Sequence, residues 1–153
     1  MTKDIYIAIP LITALGIDLF RPFIFSLSCP TVWFAPPKLF CAAVYLAICV
    51  LLGYTLKEAN RINNNDIFTF CCILIFFNLV WPNLFNRSNK YTLILLFLTL
   101  LTAYYVYNEI FLSSLTDNEN TLYLNLYSTF IVWLGFTITM VFEYANERRL
   151  ILK

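Results

Sequence analysis

Residues 77–85 read FNLVWPNLF, and three of them bring chemistry that an apolar helix does not need. Pro82 has no N–H, so the carbonyl four residues back, on Asn78, loses its helical donor. Asn78 adds a side-chain amide at the same place, and Trp81 lies about one turn further along the same face. Hydrocarbon satisfies neither the freed carbonyl nor the amide, so both must meet protein, water or a ligand. Two readings stand side by side. One is a proline kink near a helix end whose Asn bonds a neighbouring helix. The other is a polar and aromatic contact for a bound molecule.

The remaining large aromatics bear on that choice. The chain has three tryptophans, Trp33, Trp81 and Trp133. Trp81, Trp133 and Tyr45 fall in apolar runs, and Trp33 lies between two of them. With the orientation derived below, all four sit in or near the inner half of the membrane. An interfacial aromatic belt accounts for Trp33 but not for Trp133, which is too deep. An aromatic-lined pocket opening toward the cytosol accounts for all four. The stretch FSLSCPTVWFAPPKLF carries Pro30, Pro36 and Pro37, which make it a stiff connection. It is either a plain structural loop or, with Trp33 and Phe34, a lid over the inner mouth.

The elements that must hold these residues follow from composition. The 153-residue chain is 61% hydrophobic and 12% charged, too little polar surface to coat a soluble domain. Five apolar runs, at about 5–25, 39–56, 67–85, 91–112 and 122–142, reach the roughly 17–25 residues that span a bilayer core. The charges cluster in the separators, such as KEANRINNND and NRSNK. No alternation suggests barrel strands, so the expectation is an all-α integral membrane protein, a single domain over residues 1–153 forming a bundle of five transmembrane helices. Asp4, Asp18 and Arg21 argue against reading the first run as a cleaved signal peptide.

Five spans place the chain ends on opposite faces. One face takes three basic residues, Lys3, Lys57 and Arg61; the other takes seven, Arg21, Lys38, Arg87, Lys90, Arg148, Arg149 and Lys153. The positive-inside rule then puts the N-terminus outside and the C-terminus in the cytosol. A net charge of +1 leaves no nucleic-acid footprint. The absence of His removes His-based catalysis and the usual haem and zinc ligands, so no metal or required cofactor is expected. The five cysteines, Cys29, Cys41, Cys49, Cys71 and Cys72, form no CxxC and read as small buried hydrophobes.

Helix contacts in lipid need small residues or polar groups. The second run offers Ala43 with Ala47 and Cys49 with Gly53; the third has only Cys71 and Cys72. Asp18 and Arg21 read as an i, i+3 ion pair, with Asp18 as a ligand or proton contact the alternative. Val141, Tyr144 and Arg148 fit the loose sterol pattern L/V-x-Y-x-K/R; Arg148 with Arg149 and Lys153 reads more simply as a cytosolic anchor.

Together these features resemble the translocator protein family, also called tryptophan-rich sensory proteins, whose members are five-helix membrane proteins of similar size. Their third-helix pattern, L-N-x-x-W-x-P-x-F-F or L-N-x-x-W-P-P-x-F-F, resembles Phe77-Asn78-Leu79-Val80-Trp81-Pro82-Asn83-Leu84-Phe85. The fifth-helix W-L/V-x-F-A is matched by Trp133-Leu134-Gly135-Phe136-Thr137. The first-loop K-P-x-W-x-P-P is matched loosely by Pro30, Trp33, Pro36 and Pro37, and M-G-Y by Leu52-Gly53-Tyr54. A family Trp in the second helix is Tyr45 here, the Trp of P-P-x-W is Leu39, a fourth-helix carboxylate falls at Leu95, and a fifth-helix L-N pair falls at Met140-Val141. The resemblance spans residues 5–150. It implies binding of porphyrin such as protoporphyrin IX, sterol such as cholesterol, or benzodiazepine-type compounds between the helices. Trp81, Trp133, Asn78 and Tyr45 would form the site, with the first loop and Trp33 over it. It also implies, in a eukaryotic cell, the mitochondrial outer membrane; a homodimer is a candidate assembly if the chain is a structural or interaction protein.

Three functions follow as expectations: a membrane receptor or carrier for porphyrin or sterol, a light-dependent porphyrin oxidase using Trp81 and Trp133, or a structural membrane protein without a small ligand.

Overall fold

A computed structural model describes residues 5–20, 32–85, 88–114 and 121–151. They form five helices: α1 Ile5–Phe20, α2 Lys38–Ile62, α3 Asn65–Phe85, α4 Asn89–Ser114 and α5 Thr121–Ile151. No strand occurs among the described residues. Four segments, Lys38–Ile62, Asn65–Phe85, Asn89–Leu112 and Leu124–Glu147, are long and apolar enough to cross a membrane. The architecture is an all-α membrane bundle. The 16 residues of α1 rise roughly 24 Å, short of a core about 30 Å thick; the expected first span continues into residues 21–25, outside the described set, as does the Arg21 side of the Asp18 pair.

Each long helix outruns its apolar stretch, because hydropathy marks what lipid tolerates and not where a helix stops. α2 continues through Lys57, Glu58 and Asn60 to Ile62, and its polar last turn is supported by a 2.8 Å ion pair between Arg61 Nε and Glu58 Oε2. It stops at Asn63, whose φ of 55° is left-handed, a conformation Asn tolerates better than most residues. Asn64 then starts α3. Its Oδ1 accepts from the backbone N–H of Asp66 at 2.9 Å and of Ile67 at 3.4 Å, as an N-cap should. Two asparagines therefore make the sharp reversal between α2 and α3.

Burial follows one stripe per helix. In α2 it is Ala42, Tyr45, Cys49, Leu52, Leu56 and Ala59; in α3, Ile67, Cys71, Leu74, Asn78 and Trp81; in α4, Thr92, Leu96, Thr99, Ala103, Val106 and Ile110; in α5, Tyr127, Phe130, Leu134, Thr137 and Val141. The steps alternate between three and four residues, the spacing that keeps one narrow seam facing a neighbour. The stripe threonines do not need a partner across the seam. Thr92, Thr99 and Thr137 donate to the carbonyls of Ser88, Leu95 and Trp133 at 2.9, 2.7 and 2.9 Å, so their hydroxyls are satisfied within their own helix. Large apolar residues such as Ile94, Phe97, Leu101 and Tyr104 point outward, where lipid is an adequate solvent.

Packing runs mainly between helices adjacent in sequence, and α2 also touches α4 and α5. α1 sits on α2 at Gly53. A Cβ built there would run into the Ile7 carbonyl oxygen, with the Ile7 carbonyl carbon and Cα each 2.7 Å away. Of the small pairs expected from sequence, Cys49 with Gly53 is thus the seat for a neighbour, while Ala43 and Ala47 are exposed. Of the two adjacent cysteines in α3, Cys71 is buried and Cys72 faces out.

Gly53→Ala is therefore expected to push α1 off α2 and cost about 1–3 kcal/mol, the usual price of overpacking. Thermal unfolding in detergent measures this. Gly16→Ala and Gly135→Ala, where nothing lies within 4 Å, should hold or gain stability, since Ala exceeds Gly in helix propensity by about 1 kcal/mol.

Candidate functional site

The carbonyl that Pro82 frees has a partner. Tyr45 of α2 donates its hydroxyl to the Asn78 backbone oxygen at 3.2 Å, replacing the missing helical N–H with a bond from the neighbouring helix. The Asn78 amide reaches toward the Cys49 sulfur at 4.0 Å, a weak contact at the outer limit for sulfur. Asn78 is 2% exposed and Trp81 7%; Trp81 belongs to the main apolar core with Tyr45 and Cys49, and Asn78 is a buried polar residue bonded to both of the latter. Asn78, Trp81 and Tyr45 thus form a buried joint between α2 and α3.

Trp133 lies elsewhere, on α5. It shares a cavity of about 420 Å³ with Phe40, Val44, Ala47, Leu51 and Tyr54 of α2 and with Phe130 of α5. This slot lies between α2 and α5, which touch each other only sparingly. Its walls carry no charged residue. The Thr129 hydroxyl in the wall is committed to the Asn125 carbonyl at 2.9 Å, leaving the surface almost wholly apolar.

The first-loop residues that the structure describes pack beside the Trp133 end of this slot. Val32–Ala35 make a turn, with Ala35 N–H bonded to the Val32 carbonyl at 3.0 Å. Pro37 is extended, with φ −53° and ψ 142°, and leads into α2. Val32 packs with Cys41 and Met140, flanked by Phe34, Trp133, Phe136 and Tyr144. Phe34 meets Phe136 edge-on at 6.0 Å, Phe136 meets Trp133 at 5.5 Å, and Trp133 meets Phe40 edge-on at 6.2 Å. Edge-to-face contacts at these distances add to simple burial, so loop, α5 and the start of α2 share one aromatic cluster. Trp33 stands at the tip, 87% exposed, against Phe34 at 5.3 Å.

The residues singled out in the sequence are thus distributed over two places. Tyr45, Asn78 and Trp81 are joined at the α2–α3 contact. Trp133 lines the slot, with Trp33, Pro36 and Pro37 in the loop beside it; Pro30 lies outside the described residues. In the sterol pattern, Val141 is fully buried in the core, Tyr144 packs on Phe85 at 5.2 Å, and the Arg148 side chain lies outside the described set. Sequence reasoning missed Phe40, Val44, Ala47, Leu51 and Tyr54, although they recur every three or four residues on one face of α2. It also read every cysteine as a plain hydrophobe, whereas Cys41 is disulfide-bonded, and the free thiols are Cys49, Cys71 and Cys72. Spacing gave no sign of that bond, since Cys41 belongs to no CxxC. No cluster of metal-ligating side chains occurs among the described residues.

The Tyr45 bond yields a test with an internal control. Tyr45→Phe leaves a buried carbonyl without a donor, at a cost of about 1–3 kcal/mol. Pro82→Ala restores an N–H four residues on and should recover part of that loss. Unfolding of the two single variants and the double variant measures the coupling; strict additivity would mean that Tyr45 does not substitute for the missing helical bond.

No protein family, curated protein or solved structure matches this chain.

Proposed function

We propose that the chain is a membrane receptor or carrier for a hydrophobic ligand, held in the slot between α2 and α5. The observation that carries this reading is a cavity of about 420 Å³ walled by Phe40, Tyr54, Phe130 and Trp133, within the usual size of small-molecule sites. Indole and phenyl faces suit a flat apolar molecule, and the resemblance to the translocator proteins points to sterol or porphyrin. The uncharged wall favours the neutral sterol. A porphyrin would have to keep its propionates at the rim, where basic residues could meet them. Porphyrin photo-oxidation is the alternative activity, with Trp133 the tryptophan placed to touch the ligand and Trp81 held in the helix joint.

Titration of the purified protein with cholesterol and with protoporphyrin IX tests this reading. Saturable quenching or shift of tryptophan emission is expected for one of them. Trp133→Ala should weaken it by an amount on the order of tenfold, the effect of losing one aromatic contact of about 1–1.5 kcal/mol. Absence of saturable binding of both ligands overturns the proposal. For the enzymatic alternative, illumination must bleach the porphyrin Soret band faster than free tryptophan does.

We propose an orientation with the C-terminus in the cytosol, supported by the seven basic residues on that face. A C-terminal tag should be protected from protease in intact cells; cleavage there would invert the topology.

A further inference from the structure

The slot has a shape as well as a lining. Its α2 wall runs from Phe40 through Val44, Ala47 and Leu51 to Tyr54, fourteen residues apart and therefore roughly 21 Å along the helix axis. That is an elongated apolar trough, faced by α5 from Leu126 to Trp133, with room for an extended hydrocarbon chain. The ring cluster of Phe34, Phe136, Trp133 and Phe40 stands at one end. Toward the other end stands Tyr54, 46% exposed, and the next turns of α2 carry Lys57, Glu58 and Arg61. The order along α2 is thus aromatic end, apolar wall, half-exposed tyrosine, and then a turn of net positive charge.

We propose that the slot is a site for one acyl chain of a membrane phospholipid, which enters sideways from the bilayer with its headgroup beside Tyr54. Rested on the reading of the slot as a binding site, this names its resident occupant, which a sterol or porphyrin must displace. In a membrane the solvent is hydrocarbon, so an unfilled trough would forfeit dispersion contacts along its whole wall. The chain-shaped component of the bilayer can lie along such a wall and supply them. Water has no partner there, because a buried water needs two to four polar groups. At the open end, phosphate oxygens meet the net positive turn of α2, and Tyr54 stands at the depth where tyrosines favour the interface.

The test uses the full chain in phosphatidylcholine nanodiscs containing a species brominated on one acyl chain. The Trp133 signal is taken as the difference between the protein and its Trp133→Phe variant. Quenching is expected to rise with brominated fraction as a single exchangeable site does, and mass spectrometry under gentle conditions should retain one phospholipid per chain. Ala47→Phe, which fills the middle of the trough, should lose both the extra quenching and the retained lipid. Ala43→Phe, an exposed position outside the slot wall, should keep both. Equal quenching and equal retention in Ala47→Phe and the parent overturn the proposal, as does a quenching curve that fits only many equivalent surface contacts. The outcomes separate from those of the ligand titration. Retained lipid without saturable sterol or porphyrin binding leaves this inference standing and removes the receptor reading; sterol binding with no slot-dependent lipid does the reverse.

Discussion

In hydrocarbon a backbone carbonyl that loses its helical donor has nowhere to turn but to another part of the protein. Pro82 creates such a carbonyl on Asn78, and the Tyr45 hydroxyl meets it from α2 at 3.2 Å. The bond fixes the rotation of α2 about its own axis, because Tyr45 can reach that oxygen from one face only. With that face committed to α3, the remaining faces of α2 are assigned too. Gly53 meets the backbone of α1, and Phe40, Val44, Ala47, Leu51 and Tyr54 form the wall toward α5. A proline in one helix thus sets the register of its neighbour, and through it the position of the cavity.

The three faces of α2 differ in how they handle contact. The face toward α3 is made of residues that are almost completely buried, from Ala42 to Ala59. The Gly53 face works by absence: backbone approaches backbone because no side chain intervenes, the usual device of helix contacts in lipid. The face toward α5 does neither. It presents mid-sized apolar side chains to a helix that stays at a distance, and the gap between them is the slot. Aromatic contacts at the loop end, through Phe34, Phe136, Trp133 and Phe40, hold α5 near α2 at that end.

Much of the bundle was legible in the sequence because burial in lipid is a matter of run length. Runs of apolar residues marked five helices, four of them of membrane length in the structure, and the polar separators marked their joins. The freed carbonyl of Asn78 was legible for the same reason, since proline chemistry is local. Its partner was not: Tyr45 lies 33 residues away, and an aromatic with a hydroxyl reads equally as a pocket wall or as a donor. Trp81 looked like a partner of Trp133 because both fall at similar depth. Depth carries no information about direction around the helix axis, and the buried stripe of α3 turns Trp81 into the core with Leu74 and Asn78. The slot wall of α2 was hidden by its ordinariness, since Val44, Ala47 and Leu51 match lipid-facing residues in type.

Contacts between sequence neighbours dominate the bundle, and the α2–α5 seam is sparse. The consequence concerns the order of assembly. Each helix after the first finds its sequence neighbour already in the membrane, so successive hairpins can pack without waiting for distant chain, a low-contact-order route of the kind that folds readily. α5 arrives last and meets α2 across a gap it does not close. Substitutions along that seam should therefore spare insertion and accumulation of the protein.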